Sequence, residues 1–485
     1  MAALRRTAQF VSLACLASLG SVGACTSFGA EGTPTPAEPD GGPGPQREDG
    51  GPDPVPGSPA TQGITLTVDP VDPRFIVQDK DNEIAFKITR VGTSTGPITV
   101  VASGLPVGST AAPITVNTGA TKGTLRVHPA AAAPQGSLTF KLKATESTPG
   151  GATSEAPVNA FVRGAPGALD TTFASGGQLV VGTNSSAFVI DSMQRIYAAG
   201  DDISRFDRDG KPAPGKLADA MGTYKLFIKA GQLVACGGVT LATRGFYRFN
   251  LEGAPDQGFG VQGFVSFNRG GTIGADGIEA CGVTSAGALA ASVATVSDSL
   301  LLFNNANGSN GGAVGYGGSM TAGLFTDDGA FVGAKYAVGN ESLIRASGAG
   351  VESSFNVLLP GTVDGITDVV QDSTQRYVVV GPSFIGRVTH GGALEAFPNT
   401  QPPFGGTLGE AHLALASDGK IIRAQTIGQQ CAVMRYNADG TPDKAFGTNG
   451  AALLPATGCR VRGVALFADG RILLGDKALY RVWAD

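Results

Sequence analysis

From residue 63 onward the chain is a succession of short runs in which apolar and polar residues alternate, the period-two pattern of half-buried strands. Seven such runs fall at 64–68, 84–88, 98–101, 114–116, 124–127, 138–142 and 158–162, separated by breaks rich in Gly, Pro and Asn. Beyond 166 the pattern repeats: a turn, a basic or small residue, then an apolar strand. This element recurs at 194–199, 231–236, 287–291, 329–333, 375–380, 419–423 and 470–474. Ahead of residue 63 no such period exists. Phe10 to Ala24 is a mostly apolar stretch behind Arg5 and Arg6, interrupted by Ser and Gly towards its end, and 26–62 is a Gly, Pro, Asp and Glu stretch with Phe28 as its one aromatic residue.

Seven strands in roughly 100 residues predict an immunoglobulin-like β-sandwich over 63–164, without the cysteine pair of antibody domains. The region 166–485 carries two further recurring elements. Each turn strand is followed by an apolar strand with an arginine near its end: Arg205, Arg248, Arg345, Arg387, Arg435 and Arg481; the third unit has Leu301-Leu-Phe303 instead. The steps 205 to 248, 345 to 387, 387 to 435 and 435 to 481 are 43, 42, 48 and 46 residues. A period near 45 with strands throughout predicts a β-propeller, four strands to a blade. The third element is an acid followed by Phe and glycines, with the acids Asp170, Asp256, Glu352, Glu395 and Asp443. Its first copy precedes any complete unit and the last unit lacks one. The expected architecture is therefore all-β: a sandwich, then a seven-bladed propeller whose final blade is completed by an N-terminal strand at 177–181, with Arg481 approaching Asp170.

Composition agrees. Charged residues are 15 % of the chain, with 73 Gly and 29 Pro, a turn-rich and lightly charged balance suited to strands. The net charge of −5 and the lack of Lys/Arg-rich stretches argue against nucleic acid. Residues 1–24 read as an export signal. Val22-Gly23-Ala24-Cys25 resembles the bacterial lipobox. That resemblance implies lipidation of Cys25, with 25–62 as a disordered tether to a membrane of the cell envelope, the outer membrane or cell surface. Export permits disulfides, and Cys236–Cys281 and Cys431–Cys459 are the expected pairs, each linking neighbouring blades; four buried thiols are the alternative.

The stretch Arg435-Tyr-Asn-Ala-Asp-Gly-Thr-Pro-Asp-Lys-Ala-Phe-Gly-Thr-Asn-Gly450 resembles the delta-60 repeat of bacterial surface and secreted β-propellers, and 169–177 and 248–263 follow it closely. The resemblance covers about 168–485. It implies fold and cell-surface context and carries over no catalytic residue.

Catalytic and metal chemistry find little support. His128, His390 and His412 stand apart without metal-ligand spacing, and His412 reads as a hydrogen-bonded residue at a core edge. Asn304 to Gly312 lacks the form of a phosphate loop, and Asp207-Arg-Asp209-Gly and Asp327-Asp-Gly read as hairpin turns. No metal or other cofactor is expected. The repeated arginines and acids read as structural partners of one another. The function expected is a monomeric, lipid-anchored surface protein that binds a protein or glycan, with loops 268–277 and 304–319 around the central channel. A carbohydrate-active lyase or glycoside hydrolase on the same scaffold and a passive envelope spacer are the alternatives.

Overall fold

The computed structural model describes residues 63–484 apart from 93, 183–186, 201, 216, 220–221, 239–243, 268–272, 296–298, 338–339, 360–364 and 399–400. Cys25, the signal segment and the tether thus lie outside the described residues. All regular structure among them is β, without a helix, and they belong to one unit, Pro59–Asp485.

Alternation of side chains across each strand builds the first part. Gly63–Val68, Asn82–Val91 and Lys122–Val127 form one sheet. Phe75–Val77, Thr153–Arg163, Gly136–Glu146, Ile98–Ser103 and Ile114–Val116 form the other, in that order. Leu66, Ile84, Phe86 and Leu125 from the first sheet bury against Ile98, Phe140, Leu142 and Val158 from the second. Phe75–Val77 is an eighth strand beyond the seven expected from the pattern. It is three residues long and pairs in parallel with Thr153–Arg163, too short and too remote from its partner to show a period of its own.

Seven antiparallel sheets follow. The second strands Ile196–Ala199, Tyr377–Val380 and Ile472–Gly475 are buried along their whole length because sheets cover both faces. The turn before each second strand passes through the left-handed region, at φ 66° for Gln194, 86° for Gly287, 82° for Gly329, 64° for Gln375, 83° for Gly419 and 84° for Gly470. Glycine adopts that conformation without the Cβ penalty, which is why it recurs there and fixes the hairpin register. The third strands carry all six repeat arginines. Among the described residues the fifth sheet has three strands and the other six have four.

The first strand of each sheet lies beside the first strand of the next, and Ala187–Ile190 also lies beside Gly463–Leu466. Apolar clusters fill the junctions between sheets. At the junction of the seventh sheet with the first, Phe173, Leu179 and Ile196 pack with Phe467, Leu473 and Leu479. The seventh sheet takes its fourth strand from the start of the region: Gln178–Val180 pairs antiparallel with Ala478–Val482, Leu179 opposite Leu479. The chain end also meets the sandwich. Trp483 Nε1 donates to Gln135 Oε1 at 2.9 Å, Gln135 Nε2 donates to the Leu169 carbonyl at 3.0 Å, and Phe161 sets its edge on the Trp483 ring at 6.3 Å.

The segment 304–319 is not a channel loop. Residues 305–309 turn a hairpin and Asn310–Gly315 is the outermost strand of the third sheet, paired with Ser299–Asn304. Its Gly and Asn content serves the hairpin and an exposed edge. Of 268–277, 268–272 lie outside the described residues, and 273–277 begin the innermost strand of that sheet, Ile273–Val283.

Candidate functional site

The first strands enclose a cavity of about 630 Å³. Its ionisable lining comes from four sheets: Tyr224 and Lys225 from the second, Asp368 from the fifth, Glu410 and His412 from the sixth, and Arg462 immediately before the first strand of the seventh. Glu410 and His412 share a face because they are two residues apart in one strand. His412 Nδ1 stands 3.8 Å from Asp368 Oδ2 and Nε2 stands 4.0 Å from Glu410 Oε2. Asp368 is fixed by backbone donors, the Leu413 N–H on Oδ2 and the Val369 N–H on Oδ1, each at 2.9 Å. Arg462 Nη1 is 4.0 Å from Glu410 Oε2. The Tyr224 hydroxyl donates to the Glu279 carbonyl at 2.9 Å. The Glu279 carboxylate in turn accepts from Ser292 Oγ at 2.9 Å, from the Met320 N–H at 3.1 Å and from the Tyr316 hydroxyl.

Burial lowers the His412 pKa from its ordinary value and so favours a neutral ring; Lys225 and Arg462 add to the lowering, while Asp368 and Glu410 oppose it. Burial also pushes the Tyr224 hydroxyl up to about 12, reinforced by Asp368 and Glu410. The cavity can therefore hold a ligand between carboxylates and cations with a neutral imidazole beside them. No cluster of three metal-ligating side chains occurs among the described residues.

His412 was expected as a core-edge residue; it stands in the cavity wall between two carboxylates. Tyr224, Lys225, Asp368, Glu410 and Arg462 carried no motif in the sequence. The available signal was register. Each precedes its unit's turn element by the length of one strand, so each belongs to an innermost strand. His128 lies in the sandwich region, 3.0 Å from Asp81, and His390 accepts or donates at Tyr377 over 3.2 Å in the fifth sheet.

The repeat arginines form a separate system. Arg248 Nε donates to Asp256 at 2.8 Å, Arg435 Nε to Asp443 at 2.9 Å and Arg481 Nε to Asp170 at 2.7 Å. Arg387 Nε pairs with Glu395, and Arg345 reaches Glu352 at 3.3 Å and also pairs with Asp328. Arg205 is followed by no motif acid and pairs with Glu252 of the next turn. The Nη1 groups cross to neighbouring turns: Arg205 donates to the Leu251 carbonyl at 3.1 Å and Arg387 to that of Ala438 at 2.6 Å. Arg248 donates likewise to Ala306, Arg435 to Ala484 and Arg481 to Arg208. The motif phenylalanines lie under the guanidinium planes, Phe259 at 4.3 Å, Phe446 at 4.8 Å, Phe397 at 4.9 Å and Phe173 at 4.7 Å. Every one of these groups is committed within the repeat, away from the cavity lining.

Cys236 and Cys281 are joined with Cα atoms 6.7 Å apart, linking the second and third sheets, and Cys431 and Cys459 with Cα atoms 5.4 Å apart, linking the sixth sheet to the lead-in of the seventh. Cys281 also lines the cavity.

No known protein family matches the chain, and no curated protein matches it in sequence. Solved structures resemble it in architecture. Virginiamycin B lyase from Staphylococcus aureus aligns at 12 % identity and TM-score 0.45, over 63 % of this chain and 98 % of its own. The Pan2 WD40 domain of Neurospora crassa aligns at 10 % identity and TM-score 0.45, over 65 % and 97 %. The Nup133 β-propeller domain of Vanderwaltozyma polyspora aligns at 7 % identity and TM-score 0.37, over 63 % and 97 %. The neighbours are β-propeller proteins, and likeness at this level says nothing of activity.

Proposed function

We propose that the chain is a lipid-anchored binding protein of the bacterial cell envelope, attached through Cys25, in which an immunoglobulin-like sandwich carries a closed, seven-bladed β-propeller of the delta-60 type. The ligand is taken in the central cavity. One observation carries this reading: the charges around the cavity are not spent on each other. Where this chain pairs charges for structure, in Arg248–Asp256, Arg435–Asp443 and Arg481–Asp170, the contacts are 2.7 to 2.9 Å. Around the cavity the closest approaches are 3.8 to 4.0 Å, and Lys225 forms no ion pair with a described residue. A volume of about 630 Å³ also falls within the range of small-molecule sites.

The test is a thermal-shift screen of purified full-length protein in detergent against envelope glycans, peptides and small metabolites, run in parallel on Thr321→Trp. Thr321 lines the cavity and is exposed there, so tryptophan fills the space without entering a packed junction. Stabilising compounds that lose their effect on Thr321→Trp support the reading; compounds that stabilise both proteins equally place binding elsewhere.

The flanking of one imidazole by Asp368 and Glu410 favours a second reading, acid–base catalysis on a carbohydrate. Turnover of any stabilising glycan, abolished by Glu410→Gln, distinguishes it from binding.

A further inference from the structure

Chemistry on the cavity wall is divided by position. Lys225 and Arg462 sit on the two sheets that flank the first sheet, while Asp368 and Glu410 sit on the adjoining fifth and sixth. Two cations and two carboxylates balance, and burial disfavours the charged form of His412. A lone anion or cation entering such a site meets as much repulsion as attraction. A molecule with separated opposite charges is matched at both ends, and the arrangement selects against either charge alone. Much of the remaining lining is apolar: Phe188, Leu226, Ala280, Ala322, Leu324 and Ala465. That lining suits a compact apolar body between the two ends.

We propose that the cavity binds a small zwitterion of the amino-acid or short-peptide class, with its carboxylate toward Lys225 and Arg462 and its ammonium toward Asp368 and Glu410. This rests on the cavity being the binding site argued above. The four groups are available for it. Lys225 has no described acid within ion-pair distance, and Arg462 and Glu410 meet only at 4.0 Å, beyond a hydrogen bond. Asp368 accepts two backbone N–H bonds, which aim its carboxylate and leave lone pairs unused. Glu279, by contrast, does not line the cavity, and its Oε2 accepts from Ser292, Tyr316 and Met320.

The experiment is calorimetric titration of the full-length protein in detergent with alanyl-leucine, N-acetyl-alanyl-leucine, alanyl-leucinamide and maltose. Alanyl-leucine is expected to bind, and capping either end to weaken binding about tenfold or more, the loss of one charge-assisted contact. In Arg462→Met the penalty for amidation should shrink, Lys225 remaining, while the penalty for acetylation persists in full; Glu410→Gln should show the reverse, Asp368 remaining. Absence of alanyl-leucine binding, or caps that leave affinity unchanged, overturns the proposal. If maltose then binds and Thr321→Trp abolishes it, the cavity stands as the binding site and only the ligand class falls. If no probe binds and the glycans of the wider screen ignore Thr321→Trp, both readings fall.

Discussion

Arg481 Nε meets Asp170 Oδ2 at 2.7 Å across 311 residues of chain, and both side chains are fully buried. Arg471 reaches the same oxygen at 3.0 Å, and the second oxygen of Asp170 accepts the Thr172 N–H at 3.1 Å. One carboxylate thus holds two strands of the seventh sheet to the segment that enters from residue 170. Removing it leaves the fully buried Arg481 guanidinium with only the half-exposed Asp209 at 3.2 Å as a charge partner, and Arg471 with Asp469 alone. Asp170→Asn should therefore cost about 3–5 kcal/mol of unfolding free energy. Asp256→Asn, in a half-buried pair, should cost about 1 kcal/mol. Chemical denaturation of both variants measures the difference, and equal costs would refute the special place of Asp170.

Deletion of 166–181 removes Asp170, Phe173 and the strand Gln178–Val180 together. The Ala478–Val482 strand then presents an open edge, and Leu473 and Leu479 lose the apolar residues packed on them. The variant should melt well below the parent and aggregate at micromolar concentration. Light scattering during a thermal ramp tests this, and a soluble variant of parental melting temperature is the contrary result.

The two disulfides span 45 and 28 residues. Loop closure on that scale stabilises by up to about 4 kcal/mol each. Cys431→Ser should expose Cys459 to thiol reagents after mild unfolding and lower the denaturation midpoint, and reduction of the parent should reproduce both effects. An unchanged midpoint under reduction would show that the bonds carry no load.

His412 makes stability depend on pH. Burial lowers its pKa in the folded chain, as Lys225 and Arg462 also do, against Asp368 and Glu410. The unfolded chain then binds the proton first as pH falls through about 6.5, so stability is full above that value and declines below it. His412→Gln should flatten the decline between pH 6.5 and 5. Carboxylates with lowered pKa values, such as Asp443 and Asp469, titrate below 3.8 and act in a lower window. Melting temperatures across pH 4.5–8 for both proteins separate the two effects.

Lipidation at Cys25 predicts partition into the detergent phase. Cys25→Ser should move the protein to the aqueous phase, and unchanged partition removes the anchor from the proposed function.

The strands and their repetition were legible because turns and motif residues recur with the unit. The left-handed turn before each second strand needs Gly or a tolerant residue such as Gln194, and each motif acid needs its arginine, so both leave a periodic trace. The cavity was not legible for the opposite reason. Tyr224, Lys225, Asp368, Glu410, His412 and Arg462 occupy corresponding innermost strands with different side chains, and a site assembled from unlike residues of separate units has no spacing to detect. The segment 304–319 misled in another way. Its Gly and Asn residues looked like a ligand loop, yet an outer strand facing solvent accepts the same composition. Tyr316, near its end, instead donates to Glu279.

The clamp of Trp483 on Gln135, and of Gln135 on Leu169, has a mechanical consequence. A pull on the sandwich does not spread over all seven sheets. It enters through 164–177, the same stretch that leads into Gln178–Val180, and so loads the seventh sheet directly. Because that strand runs alongside Ala478–Val482, the load is shared between the clamp at one end and a row of backbone hydrogen bonds along the strand. The connector therefore has no slack of its own: stretching it means shearing the sheet.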